Sequence, residues 1–490
     1  AGDDQLIFNQ ATTSIDDHFV GGITATYNPI SSLTNRLTVG MDWRDATNDW
    51  VIPRDHVIRP DGWRTLTRWR RTTVTADYVG TWQTNIQDAL TSQFSFGGQI
   101  FQDYMHNHYG EVQEFAGPGL EQTLNSGALP DAGENYEKAT NAGFFFQEMV
   151  GWRDQLFVTA GLRVDGNSSF GEDYGLQAYP KISASYLLSE TDILPEAIGT
   201  LKLRAALGEA GRAPGVFDAA TTWTSSTGND DKPGVTPNNL GNPDLGPERT
   251  RELELGFEGS AFDERVSFDF SYYDAKTRDA LVEVQYPPSQ GFASAQLSNV
   301  GEIQNKGVEV TLGVAPYQSS DLSLDFTVQY SHNKSQANDL AGEKLQIGSS
   351  SWRQWAREGY PVPAHFATKV TNPDAIADPE YESDGYYGPS YPVDNVGFSA
   401  SINFLQRFTL YALGEGSYGH YHMAAVGRQG AARSVDLPGG GEKQLWPSCN
   451  VSNRDAQTAL WRSQCEDLEW ASWILPADFF KIRTVSLTYQ

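Results

Sequence analysis

Arg251-Glu252-Leu253-Glu254-Leu255-Gly256-Phe257-Glu258 places an apolar residue at every second position from Leu253, with a carboxylate or glycine between. A strand with that period has one oily face and one wet face, because successive side chains point to opposite sides. After a short turn the pattern restarts as Val266, Phe268, Phe270 and Tyr272 against Ser267, Asp269 and Ser271. It returns at Val308, Val310, Leu312, Val314 and again at Leu322, Leu324, Phe326, Val328, Tyr330. Repeated long two-faced strands predict a large antiparallel barrel.

Working outward, alternation bounded by turn residues predicts strands near 19–27, 35–44, 69–81, 90–104, 142–151, 156–166, 177–187, 200–208, 249–258, 265–274, 304–314, 322–332, 395–404, 407–418 and 478–490. The links between them test the idea independently. Short ones (28–34, 83–89, 153–155, 188–201, 259–264, 315–321, 405–406) alternate with mostly longer ones (45–68, 105–141, 167–176, 209–248, 275–303, 333–394, 419–477). An up-and-down transmembrane barrel with two unlike ends requires that parity, with short turns on the periplasmic side and long loops outside. The segment 333–394 is too long for a plain loop and is expected to hide a further hairpin. The first 18 residues receive no assignment.

The 490 residues show no composition break, so the chain reads as one barrel domain. No apolar run approaches the ~18 residues of a membrane helix, which excludes an all-helical membrane protein, and the N-terminal Ala1-Gly2-Asp3-Asp4 has no signal-peptide character. A 39% hydrophobic fraction beside 12% aromatic and 47 Gly suits a polar interior with aromatic rims. The net charge of -27 argues against nucleic acid as a partner, because phosphate binding needs clustered cations. Cys449 and Cys465 sit in an aperiodic segment. A disulfide closing that loop in an oxidising compartment is worth roughly 3 kcal/mol, the alternative being two unpaired cysteines.

Gly241-Asn242-Pro243-Asp244-Leu245-Gly246-Pro247-Glu248-Arg249, running into the opening strand, resembles the strand-entry signature of TonB-dependent receptor barrels. Asp269 through Asp274 with Lys276, Thr277, Arg278 and Asp279 resembles a second family segment. Asn299-Val300-Gly301-Glu302-Ile303-Gln304-Asn305-Lys306-Gly307-Val308-Glu309 resembles a third, in the wording of the SusC/RagA branch. The closing Pro476 through Tyr489 is similar to that branch's end region. The resemblance implies a 22-stranded barrel with an internal plug. It further implies residence in the bacterial outer membrane, coupling to the TonB complex through a segment ahead of the plug, and a SusD-like surface lipoprotein as lid. No plug-like segment or TonB box is found here and about seven strands are wanting, so the expectation is an internal portion of a longer receptor.

Several clusters have two readings. No enzyme motif occurs: there is no nucleophile elbow, zinc helix or phosphate-cradling loop, and catalysis is not expected. Asn229, Asp230, Asp231, Asn238, Asn239, Asn242 and Asp244 offer oxygens for calcium or sugar hydroxyls, against the preferred reading of a solvated, turn-rich loop; no other cofactor is indicated. His106 with His108 and His420 with His422 are period-two pairs whose rings share a face, as a metal site wants, although neither has a placed third ligand and interface or lumen histidines are the preferred reading. Trp63 to Arg71 is locally basic and suits lipopolysaccharide phosphates, against the preferred internal pairing with carboxylates. Trp43, Trp152, Tyr272, Tyr273, Tyr330, Phe479 and Phe480 near strand ends read as girdles against the outer-membrane lipids. The function expected from all this is import of a bulky glycan, peptide or chelate. A surface structural or adhesion barrel is the alternative, and a soluble secreted β-rich enzyme is disfavoured by the loop parity.

Overall fold

The computed structural model describes residues 10–489 apart from 57–58, 121, 192, 229–231, 285–294, 349, 433, 437–441 and 445. Asn229, Asp230 and Asp231 therefore lie outside the described residues. Fifteen long strands are found, one at each position the alternation predicts. They are β1 (Ala11–Ile30), β2 (Leu33–Ile52), β3 (Trp63–Gln87), β4 (Leu90–Phe115), β5 (Gly127–Trp152), β6 (Leu156–Asn167), β7 (Gln177–Leu187) and β8 (Ile198–Arg212). Then follow β9 (Glu248–Ala261), β10 (Val266–Val284), β11 (Gln296–Gln318), β12 (Leu322–Asp339), β13 (Asp394–Phe404), β14 (Phe408–Tyr418) and β15 (Phe479–Tyr489).

The chain divides into two compact units. The first comprises Ala1–Arg153, Thr159–Pro180 and Ala213–Gly246, and in it β1 to β6 pair in chain order. One register row there runs Ile23, Val39, Ala76, Ile100, Ala142, apolar throughout. Ile23 is 78% exposed and Ile100 54%, so the solvent of this face is lipid rather than water. Phe19, Trp43 and Tyr104 lie beyond one side of the row, and Tyr27, Trp82 and Trp152 beyond the other. Phe19 and Tyr27 are eight residues apart, about 26 Å along the strand at ~3.3 Å per residue, or roughly 20 Å of height at the tilt of barrel strands, comparable with a barrel's apolar band.

The second unit comprises Asp154–Val158, Lys181–Arg212 and Pro247–Gln490, and in it β7 to β15 again pair antiparallel with their chain neighbours. Its apolar row runs Leu203, Phe257, Phe270, Val310, Tyr330, Val396. Phe404, Phe408 and Tyr489 stack at one end, with ring centroids 5.3 and 5.1 Å apart. The short link at 405–406 holds Leu405 and Gln406 both in the left-handed region, φ 54° and 59°, as a tight hairpin matching strand twist demands.

Strand lengths depart from expectation. Links read as 45–68 and 105–141 shrink to 53–62 and 116–126, because β2 to β5 continue well past the band. A strand crosses with ~9–11 residues. Beyond that both faces are wet, so alternation stops while the backbone ladder goes on. The link 188–197 is as long as 168–176, the one break in the length parity. The unassigned N-terminal residues enter β1 at Ala11. The hidden hairpin within 333–394 is a separate four-stranded sheet of Leu345–Ile347, Gln354–Ala356, Ala364–Val370 and Tyr381–Pro389. Buried side chains concentrate at the long-link ends. Val51, Val112 and Phe115 cluster in the first unit, and Met423, Ala431, Cys449, Cys465, Ala471, Trp473 and Ile474 in the second.

Candidate functional site

The face opposite the apolar band carries the chemistry. In the second unit one register row runs Arg204, Gly256, Ser271, Glu309, Ser331, Asn395, Ser417, polar or glycine at every strand. Arg204 donates to Glu258 at 2.7 Å and to Asp269 at 2.9 Å, and lies 3.5 Å from Glu254. Lys202 adds a 3.0 Å bond to Glu258. Gly256 makes this reach possible: a Cβ there would stand 2.8 Å from Arg204 Nε, so the glycine lets the guanidinium cross β9 to meet β10. The wet phase of the opening stretch thus includes a residue chosen for having no side chain. Beside it a hollow is lined by Glu309, Gln329, Ser331, Asn395, Glu415 and Ser417. Ser417 donates to Asn395 at 2.8 Å, and Glu415 accepts from Arg483. In the first unit, Arg71 with Asp103 at 2.9 Å and Arg163 with Asp165 at 2.7 Å continue the same chemistry. Such a wall offers hydroxyls, carboxamides and both signs of charge to a polar passenger.

The motif residues hold the frame. Asn242 Oδ1 accepts from the Asp244 amide at 3.0 Å. The Pro243 and Leu245 carbonyls accept from the Asp173 and Gly171 amides, while Leu245 is fully buried and Gly246 packs under the Tyr174 ring. Pro247 is buried, Glu248 accepts from the Leu281 amide at 2.9 Å, and Arg249 pairs with Glu209 at 3.0 Å. In the third motif Asn299 donates to the Asp279 carbonyl at 2.9 Å, and Gly301 packs against Ala280 and Val282 beside the half-exposed Val300. Asn305 sits on the polar face between Ala275 and Ser335, and Lys306 pairs with Asp274 at 3.1 Å. Gly307 lies under Tyr273, whose hydroxyl donates to Asn333 at 3.0 Å, and Glu309 faces the hollow.

Tyr273 and Phe479 are not girdle residues: each is next in sequence to a band residue, Tyr272 or Phe480, and adjacent residues of a strand face opposite ways. Arg68 and Arg70 both bond Asp45, at 2.7 and 2.8 Å, Arg64 bonds Asp49 at 2.8 Å and Arg71 bonds Asp103, so the basic run is spent on internal carboxylates. Asn239 donates to the Asp218 and Ala220 carbonyls and Asn238 to Thr222, which ties their amides into the local hairpin. Cys449 and Cys465 are joined as a disulfide, Cα to Cα 5.4 Å. His420 lies 3.8 Å from Asp478 and His422 packs near Trp352; among the described residues this pair gathers no third metal ligand. His106 and His108 do gather one, Glu134, which sequence reasoning left in a loop and so could not place.

A sequence model of the family described as TonB dependent receptor-like, beta-barrel, matches residues 2–429. The chain is 32% identical to TonB-dependent receptor P26 of Formosa agariphila over 237 residues, 45% of this chain and 24% of that protein. It is 22% identical to TonB-dependent receptor SusC of Bacteroides thetaiotaomicron over 228 residues, 42% of this chain and 23% of that one. The fold superposes on a chain of the RagAB peptide transporter with a TM-score of 0.81 at 19% identity, covering 98% of this chain and 56% of the other. The matches thus span about a quarter of each curated relative and little more than half of the RagAB chain. The chain is similar to proteins of the SusC/RagA kind and belongs to the TonB-dependent receptor-like β-barrel family, whose place is the bacterial outer membrane.

Proposed function

We propose that this chain forms part of the wall of an energised importer that carries a bulky polar nutrient, a glycan, peptide or chelate, across the outer membrane. The observation that carries the reading is the uninterrupted polar row from Arg204 to Ser417 behind an apolar band. Barrel interiors are polar in general, and here the hollow lined by Glu309, Gln329, Ser331, Asn395, Glu415 and Ser417 adds room on that face for a polar passenger. In this reading the long links face outward and capture the nutrient. A plug elsewhere in the receptor gates the path, the TonB complex supplies the work, and a SusD-like lipoprotein covers the mouth.

The test is disruption of the gene for the whole receptor, followed by growth on single bulky sources of carbon, nitrogen or iron. Loss of growth on one class, restored by the intact gene, supports import and names the class. Unchanged growth on all of them, with altered surface adhesion, replaces import by the structural role.

A further inference from the structure

His106 and His108 on β4 stand two residues apart, so both rings project from one face. The register sets His108 opposite Glu134 of β5, and His106 opposite Tyr136. His106 Nε2 lies 2.6 Å from Glu134 Oε1, and the two imidazole centroids are 4.1 Å apart. One ligand atom from each of the three side chains falls within 4.8 Å of the others. A tetrahedral Zn²⁺ with bonds of 2.0–2.1 Å holds its donors about 3.4 Å apart, so modest rotation of the exposed His108 and Glu134 side chains about the half-buried His106 closes the set. Two imidazoles and a carboxylate are the donors that zinc and its late transition-metal neighbours prefer, and three protein ligands leave a fourth position for water.

The surroundings permit a cation. Arg70 and Arg68 are the β3 residues opposite His106 and His108, and each alone would repel a metal. Both guanidiniums are instead directed onto the buried Asp45 carboxylate, away from the histidines. Tyr104 and Lys138 mark the next row toward the band, so the triad sits on the band's face, beyond Tyr104 on the long-link side. It is therefore off the polar wall, and the inference stands apart from the import reading.

We propose that His106, His108 and Glu134 form a binding site for a divalent late transition-metal ion of the zinc class, which ties β4 to β5 where they rise past the membrane band. The ligands come from two strands, so the ion acts as a cross-strand clasp rather than as cargo.

The experiment is zinc binding by the whole purified receptor in detergent, read by competition against a chelating dye and by metal content after desalting. Wild type is compared with His108→Ala and Glu134→Gln, whose heat-dependent gel mobility shows that each variant is folded. The expected result is one zinc equivalent fewer in each variant, or affinity lowered at least ~10-fold, the loss that removing even an outer partner of a ligand causes. Equal zinc content and affinity in wild type and both variants, including none in any of them, overturns the proposal.

Discussion

Ile100 and Phe101 are neighbours on β4 that face opposite ways, which makes them a controlled pair for the claim that one side of this sheet meets lipid. Ile100 pairs with Ala76 and Ala142 in the apolar row and is 54% exposed. Phe101 pairs with Thr75 and Asn141 on the polar side and is 37% exposed. Ile100 lies near mid-height between Phe94 and Tyr104, where an arginine facing lipid costs ~2–4 kcal/mol. On a wet surface the same change moves stability by about ±0.5 kcal/mol. At 1.4 kcal/mol per factor of ten, Ile100→Arg should shift the folding equilibrium roughly 30- to 700-fold. Phe101→Arg should shift it by less than about tenfold, its loss being some contact area rather than a charge in hydrocarbon. The assay is urea titration of the whole receptor in phosphatidylcholine vesicles, followed by tryptophan fluorescence. Equal effects of the two substitutions, or a neutral Ile100→Arg, would refute the assignment of faces.

Gly246→Ala should cost ~1–3 kcal/mol, because the added Cβ overlaps the Tyr174 ring and overpacking is expensive. In a Tyr174→Ala background the same change should cost much less, and a double-mutant cycle in the same urea assay measures the difference. Replacing Cys449 and Cys465 by serine opens a loop whose closure is worth ~3 kcal/mol, so limited proteolysis between them should accelerate without loss of the barrel's heat-dependent gel mobility. His365 is fully buried in the four-stranded sheet and donates from Nε2 to the Tyr421 carbonyl at 3.1 Å, and burial lowers its proton affinity below the ordinary 6.5. Above pH 6.5 folded and unfolded forms are both neutral. As pH falls below 6.5 the unfolded form takes the proton first, so stability is lost until pH reaches the lowered folded value. The protection factors for hydrogen exchange across Ala364–Val370, each corrected for the intrinsic exchange rate at its pH, should therefore fall between pH 7.5 and 5.5 in wild type, and that dependence should flatten in His365→Gln.

The strands were legible wherever one face meets lipid and the other water, because that contrast writes itself as alternation. Leu253, Leu255 and Phe257 declare their face, and the fifteen strands observed fall where such runs do. Their lengths are not legible: Arg64, Arg68, His106 and Glu134 extend strands beyond the band, where neither face is constrained to be apolar. The third metal-site candidate was lost for that reason. Glu134 becomes a neighbour of His108 only through the β4–β5 register, and a residue read as loop has no register. The fate of the arginine run needed the same information, since Asp45 reaches Arg68 and Arg70 through the β2–β3 pairing. The segment 419–477 folds around Trp473 and the Cys449–Cys465 bond with two helices of a single turn or two, Ala425–Ala431 and Ala459–Cys465, too short to impose a readable period.

Energised import is tested by accumulation of the nutrient identified by the growth screen in cells that hold the intact receptor but lack TonB. Accumulation should fall to the level of the receptor deletion, with surface binding retained. Accumulation at the full rate without TonB would contradict energised import by this receptor.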